Sequence, residues 1–509
     1  MSAQRQTRVK STWFILYILL LTAHIGLVWV LPYFPTQDGP SHIYNLVILD
    51  DLLHGGKEWG SFFNYKLHAI PNMGFHLIAY PLLQFFQPLI TEKIFVSIYI
   101  FLMGACVPFF LRSFDKPVFP MTFLVFPVIF NLNLMMGFYS YTITIPLFLL
   151  AVSISWQFRD CNMLCRFVML NLMGFVLFYF HLIPFIFFLI FLGLMAVLDT
   201  DTYKNRFTRF LKTIIIISPL IINLFMYLTN GIKTPSQDFS YLLSPSRFFE
   251  LSSELFMFST TSFSPWQLIP ASILIFLMYL HLKECVKRWI RSRDIPVSER
   301  LLLSMMLTLF LIYMIAPFRF GGGSFFNERF PWVILLISLP LLKTPETGIC
   351  RHINIIVVAS VFLMVNFIIF WQQNAKVNNF VSGLHVEMPK GAFVMTYKAR
   401  APQWSRVDPL MHAVSYYCIS NKYVDIGNYE TQFDYFPIHF QKTLPSFPLP
   451  KQIGYYPEAI KWADYPSIQY VFGWNTDKAG KTKLLGYFQI IWEEGYLSIW
   501  KRKTQFTGV

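Results

Sequence analysis

Apolar runs of roughly 16 to 22 residues, separated by short polar or basic stretches, recur from Trp13 to Trp371. A run of that length is what a hydrocarbon core about 30 Å thick demands of a helix rising about 1.5 Å per residue. The chain is therefore expected to be a multi-pass membrane protein, mainly α. Composition agrees, with 55% hydrophobic and only 13% charged residues, against roughly 25% charged in ordinary globular domains. The formal charge of +14 would point to nucleic acid in a soluble domain. Here Lys and Arg must first be sorted by loop, because membrane topology uses them, and no nucleic-acid partner is expected. The cysteines Cys106, Cys161, Cys165, Cys285, Cys350 and Cys418 show no metal-ligand spacing and read as structural or incidental.

Arg5, Arg8 and Lys10 precede the first apolar run, Trp13 to Leu31, which places the N-terminus in the cytoplasm and reads as an uncleaved anchor. The next stretch, Met73 to Leu89, is interrupted by Pro81 and Pro88 and is taken as a juxtamembrane or half-inserted helix. The second span is then Ile94 to Leu111. Further spans fall near 118–132, 139–157, 167–181, 183–198, 213–229, 265–282, 301–316, 331–342 and 353–371, which makes eleven crossings. Most Lys and Arg before residue 373, among them Lys204, Arg206, Arg209, Lys283, Lys287 and Arg288, land on the cytoplasmic side, as the positive-inside rule requires. The expected localisation is the plasma (inner) membrane.

After Trp371 the composition turns mixed and polar, with strand-like runs at Ala392–Tyr397, Ile468–Trp474 and Gln489–Trp500 and helical spacing over Val407–Cys418. Residues 1–372 are expected to form a transmembrane domain with a first outer loop at 32–93, and 373–509 an extracytoplasmic α/β domain large enough to bury its own core. No inverted repeat of the transporter kind is present, nor a Walker, GxGxxG or HExxH motif.

Polar groups concentrate in outer loops. In PTQDGPSHIYN, Asp38 sits on a Gly-Pro turn and Ser41 is a candidate N-cap for a helix to about Leu53. His42 and Asn45 would share one face of that helix. A carboxylate there suits proton abstraction from a substrate hydroxyl if the site is partly dry; the alternative is a turn-forming cap. The loop PFRFGGGSFFNERFPW places Gly321–Gly323, Arg319, Glu328 and Arg329 at the membrane surface. Arginine there suits a phosphate, or Glu328 and Arg329 simply pair and anchor the next helix. A third loop, 230–264, carries Asp238, Arg247, Glu250 and Glu254 without fixing a chemistry. His181, in YFHLIP, is placed near the same surface, as a ligand-facing or an interfacial residue. Asp408, Asp425 and Asp434 form no obvious catalytic cluster.

A basic N-terminus, one span, then an outer loop carrying Asp38 resembles the GT-C superfamily of integral membrane glycosyltransferases, of the mannosyltransferase and aminoarabinose-transferase type. Asn327, Glu328, Arg329 and Phe330 look like the latter part of the HKE-R-F segment of the dolichol-phosphate-mannose-dependent members, without its leading His-Lys. The second outer loop, NLNLMMGFYSY, lacks the second acidic residue many relatives carry. A metal pair usually wants more than one carboxylate, so no metal cofactor is favoured.

The resemblance implies a polyprenyl-phosphate-linked sugar as donor and a glycan, lipid or protein hydroxyl as acceptor, with single displacement and inversion. Asp38 would be the base. Arg329 would hold the phosphate, with Arg319 or Lys66 as alternatives, and Glu328, His42 and His181 would line the substrate site. The rival readings are a lipid or polysaccharide flippase, which is expected to carry ionisable groups mid-span, a cell-envelope polysaccharide polymerase, and a non-catalytic scaffold.

Overall fold

A computed structural model describes residues 3–67, 70–199, 203–229, 251, 260–292, 295–319, 324–342, 349–398 and 405–503. Helix α1 (Ala3–Val30) is followed by α2 (Gly39–Leu53), α3 (Gly74–Leu83) and α4 (Pro88–Ser113). Further helices span Tyr139–Gln157, Met163–Phe180, Leu182–Leu198, Tyr203–Ile216, Ser218–Thr229, Pro265–Ser292, Val297–Ile315, Pro331–Ser338 and Ile349–Phe380. Among the described residues seven helices are long and apolar enough to cross a membrane, or eight if the pair bent by 62° around residue 217 is one span.

The eleven expected crossings thus become seven or eight long helices and three shorter apolar pieces. Residues 121–135 break into short turns around Pro127 and Asn131. Leu182–Leu198 has 17 residues, and Pro331–Ser338 passes into a 3-10 turn containing Pro340. Proline removes a helical donor and crowds the preceding turn, which hydropathy alone does not register.

The bundle is layered around Tyr139–Gln157, whose apolar window is 83% buried, with α4 next at 56% and the other long helices at 28–39%. Those outer helices present large apolar side chains such as Leu164, Ile290 and Leu311 outward, as a lipid-facing surface does.

The two ends of the bundle carry separate polar sets. At one end buried Glu299 accepts hydrogen bonds from Lys116 at 2.5 Å and from Trp289 at 2.6 Å and pairs with Arg288, while Asp199 pairs with Arg209. All of these lie in or beside segments that the charge pattern assigns to the cytoplasm. Asp38, Glu328 and Arg329 gather at the opposite end.

The C-terminal segment builds a five-stranded sheet in the order β3-β2-β5-β7-β6, from β2 (Phe393–Lys398), β3 (Val424–Asp425), β5 (Tyr470–Trp474), β6 (Phe488–Glu494) and β7 (Leu497–Arg502). The two strands β2 and β5 are parallel; β5, β7 and β6 are antiparallel. The run Gln489–Trp500 is therefore a hairpin, turning at Gly495 with φ +58°. Within the expected stretch Val407–Cys418 the helix begins only at Val414 and runs to Asn421, and further short helices lie at Pro450–Tyr455 and Lys478–Leu485.

This segment does not stand apart from the rest. The composition change at 372 falls inside the helix Ile349–Phe380, which continues through polar residues. Strand β1 (Phe63–Tyr65), in the first loop, pairs antiparallel with β4 (Ile438–Phe440). Tyr44, Trp59 and Phe63 of the first loop share one hydrophobic cluster with Val394, Tyr417 and Phe472. The first loop and the C-terminal sheet therefore fold on a common core.

Candidate active site

Asp38 occupies the N-cap position of α2, with Pro40 in the first turn, where its fixed φ suits a helix start. Its carboxylate makes no capping bond. The capping alternative is thus not realised, and Ser41, the expected cap, lies inside the helix and donates instead to Glu430 Oε1 at 3.1 Å. The Asp38 carboxylate turns into the protein, 7% exposed. Gln37 donates to its Oδ1 at 3.3 Å, Tyr429 donates to its Oδ2 at 3.3 Å, and His412 Nε2 stands 3.6 Å from Oδ1.

Two glycines make this placement possible. A Cβ on Gly39 would lie 2.2 Å from Thr36 Oγ1, 2.3 Å from Glu92 Oε1 and 2.6 Å from the Tyr139 hydroxyl. Gly137 has φ +88°, and a Cβ there would lie 2.9 Å from the backbone nitrogens of Asp38 and Gly39. Backbone bonds from Gln37 and Asp38 to the carbonyls of Met135 and Met136 then lock the two loops together. Gly137→Ala, strained in φ and in contact with unyielding backbone, is expected to cost about 1–3 kcal/mol. A melting curve in detergent beside an activity assay checks it; an unshifted melt would contradict this account of the loop.

The polar face of α2 is zipped to residues 423–430. Tyr44 donates to the Tyr423 carbonyl at 3.0 Å, and Asn45 and Asn428 exchange reciprocal amide bonds at 3.0 and 2.8 Å. The His42 ring faces acceptors on both sides, Nε2 at 2.9 Å from the Gly137 carbonyl and Nδ1 at 2.9 Å from Glu430 Oε1. The second contact is at ion-pair distance but off the line of a good hydrogen bond.

The two buried carboxylates are shifted in opposite directions. Burial pushes the Asp38 carboxyl up to about 6, only partly offset by the His42 charge and the Gln37 and Tyr429 bonds. Burial also pushes Glu430 upward, but His42, His76 and the Ser41 hydrogen bond together outweigh it and hold Glu430 below the ordinary carboxylate range. Burial draws the His42 pKa down, but Glu430, Asp38 and the Gly137 carbonyl together raise it above its ordinary value. Burial brings His412 down to about 4, so near neutral pH the imidazole beside Asp38 carries no charge. Glu430 is thus a neutralised partner, and Asp38 is a dry carboxylate among neutral donors, the environment in which a carboxylate serves as a proton acceptor.

Arg329 ends a 3-10 turn, Asn327–Arg329. Its guanidinium lies over Phe138 at 4.9 Å and Tyr141 at 5.5 Å, and its buried Nε has no hydrogen-bond partner. Tyr429 and Tyr435 are within its electrostatic reach, which places it near the residues around Asp38. Among the described residues no carboxylate pairs with it. The alternative, a Glu328–Arg329 pair, is not formed, and Glu328 Oε2 bonds Arg406 at 3.0 Å. Glu328 is therefore committed to that ion pair and is not poised toward a phosphate.

No known protein family matches the sequence, and no curated protein matches it. Among solved structures, ArnT from Cupriavidus metallidurans in the apo state matches over 97% of this chain and 98% of its own, at 7% identity and a TM-score of 0.54. The chain has the ArnT fold. A second structure of ArnT from the same organism, bound to undecaprenyl phosphate, matches at 8% identity over 98% of this chain and 99% of its own, with a TM-score of 0.48. The architecture expected from the GT-C resemblance is thus the one observed.

The remaining sequence candidates divide. His181 breaks the chain between Met163–Phe180 and Leu182–Leu198, accepts from the Ile183 amide at 3.2 Å and meets Tyr141 edge-on at 5.2 Å; it caps a helix close to Arg329. Arg319 is exposed, and Tyr455 lies within electrostatic reach of both it and Asp38, so it belongs to the rim. Lys66 departs from its expected role. It is 51% exposed beside Asp434 at 3.8 Å, because its strand is committed to β4 and the ammonium is left in solvent. Gly321–Gly323 and Asp238, Arg247, Glu250 and Glu254 lie outside the described residues.

The sequence reading missed Tyr429, Glu430, His412 and Arg406, all from the C-terminal segment, and the buried Glu92, which accepts from Tyr139 at 2.5 Å. The three aspartates of that segment in which it saw no catalytic cluster sit elsewhere. Asp425 accepts from Ser415 and Gly427, Asp408 pairs with Lys398, and Asp434 is exposed. Among the described residues no three His, Cys, Asp or Glu side chains are grouped to hold a metal ion.

Proposed function

We propose that the chain is an integral membrane glycosyltransferase that takes a sugar from a polyprenyl-phosphate donor and transfers it, with inversion and without a metal, to an acceptor hydroxyl. The observation that carries this reading is the presence, at one end of the bundle, of a dry carboxylate and of an arginine that has no carboxylate partner among the described residues. The fold shared with ArnT and the GT-C-like loop motifs support the same reading. As the acceptor oxygen attacks the anomeric carbon, its proton passes to Asp38 and the sugar–phosphate bond breaks. The leaving phosphate gains charge, which Arg329 holds without needing a general acid. Tyr429 and Gln37 orient the base, and His42 keeps Glu430 from competing for the proton. The prenyl chain lies against the apolar bundle. The N-terminus is cytoplasmic, the site faces the outside of the inner membrane, and residues 373–509 form the extracytoplasmic domain.

The test is transfer of label from a short-chain polyprenyl-phosphate sugar to an acceptor extract by the full chain in detergent, with and without chelator. Transfer that survives chelation is expected. No transfer from any such donor would defeat the reading, and transfer abolished by chelation and restored by a divalent ion would defeat its metal-free form. Reporter fusions should signal outside after Trp59 and inside after Arg209 and Arg291; the opposite pattern would place the site on the wrong side for this donor.

A further inference from the structure

Arg406 ties three separate segments together. Its guanidinium donates to Glu328 Oε2 at 3.0 Å, with the two side chains 6% and 10% exposed, and to the Thr260 carbonyl at 3.0 Å. Its backbone amide donates to the Thr261 carbonyl at 3.0 Å, and Ser405 forms an isolated β-bridge with Ser262. The turn bearing Glu328 and Arg329 is pinned through its backbone by other residues: Asn133 donates to the Glu328 carbonyl at 3.1 Å, and the Tyr141 hydroxyl donates to the Arg329 carbonyl. The path of the chain there is thus set without the Glu328 side chain. What that side chain decides is charge. A buried carboxylate stripped of its cation takes the nearest one available, and Arg329 is its neighbour in sequence, resting on aromatic faces and paired with no carboxylate among the described residues.

We propose that Arg406 is a positioning residue that sequesters the Glu328 carboxylate, and so leaves the Arg329 guanidinium unneutralised and free to take the phosphate of an anionic lipid. This rests on the reading of Arg329 as the phosphate holder. A contact between C-terminal segment and bundle thereby sets the charge of the donor site, although Arg406 itself touches no substrate.

The experiment uses the full chain in detergent and a short-chain polyprenyl phosphate as probe. Arg406→Ala should weaken binding about tenfold or more, since the released carboxylate neutralises Arg329. Arg406→Ala combined with Glu328→Gln should restore binding to within about threefold of the parent, because the two changes act through one charge. A merely structural tie predicts the reverse, a double variant at least as weak as the single one. That result, in a protein with the parent's melting temperature, overturns the proposal, as does unchanged binding in Arg406→Ala. If Arg406→Ala does not fold, Glu328→Gln alone decides: binding kept or strengthened supports the proposal, and binding lost overturns it. A second readout needs no lipid. Modification of Arg329 by phenylglyoxal, followed by mass spectrometry, should slow in Arg406→Ala and recover in the double variant, and an unchanged rate counts against the proposal. Should the parent bind no polyprenyl phosphate while this reactivity pattern holds, the donor assignment falls and the role of Arg406 stands.

Discussion

Asp38→Asn is expected to lower transfer by about 10² to 10⁴ while leaving donor affinity nearly unchanged. The amide keeps the shape of the carboxylate, and both Gln37 and Tyr429 can still donate to its oxygen, so the loop should hold. Only proton acceptance is lost. The pH dependence follows from the same group. Burial pushes the Asp38 carboxyl up to about 6, and the base must be ionised to work. The parent should therefore lose activity as pH falls through about 6 and reach a plateau above it, whereas the residual activity of Asp38→Asn should not change over that range. Glu430 is held low by His42, so it contributes no titration there. A single-turnover pH profile of the two proteins is the measurement. Parent-like transfer by Asp38→Asn would remove the base from this mechanism.

Arg329→Ala should weaken both donor binding and turnover, with kcat/KM falling by about 10² to 10³, because the guanidinium meets the phosphate in the ground state and again as charge builds on the leaving oxygen. Arg329→Lys should recover part of the loss, since an ammonium keeps the charge but not the planar fork. The stability readout separates this role from an architectural one. Its guanidinium sits over Phe138 and Tyr141 with its Nε unpartnered, and a cation shielded from water without a counter-ion is unfavourable to the fold. The alanine variant should melt at or above the parent temperature while failing to bind a short-chain polyprenyl phosphate. A lower melting temperature with intact binding would make Arg329 a packing residue.

The membrane bundle and the position of Asp38 were legible in the sequence for the same reason. Hydropathy summed over a helix-length run, and the turn chemistry of Asp-Gly-Pro, are local properties that neighbours along the chain determine. Span lengths were less legible where prolines such as Pro127 and Pro340 break apolar runs that hydropathy reads as continuous. The chemistry of the site was legible only in part. That Asp38 is a candidate base could be read from its loop, but its environment comes from Tyr429, whose hydroxyl reaches it across 391 positions of sequence. Glu328 and Arg329 look in sequence like a natural ion pair, but Glu328 bonds Arg406 instead, a partner that nothing in the local pattern announces. The sequence by itself determined which segments leave water and where acidic and basic side chains enter the connecting loops. Only the tertiary structure decided which of those charges are neutralised and which are left to act, because counter-ions and desolvation are set by neighbours in space, and here those neighbours arrive from the far end of the chain.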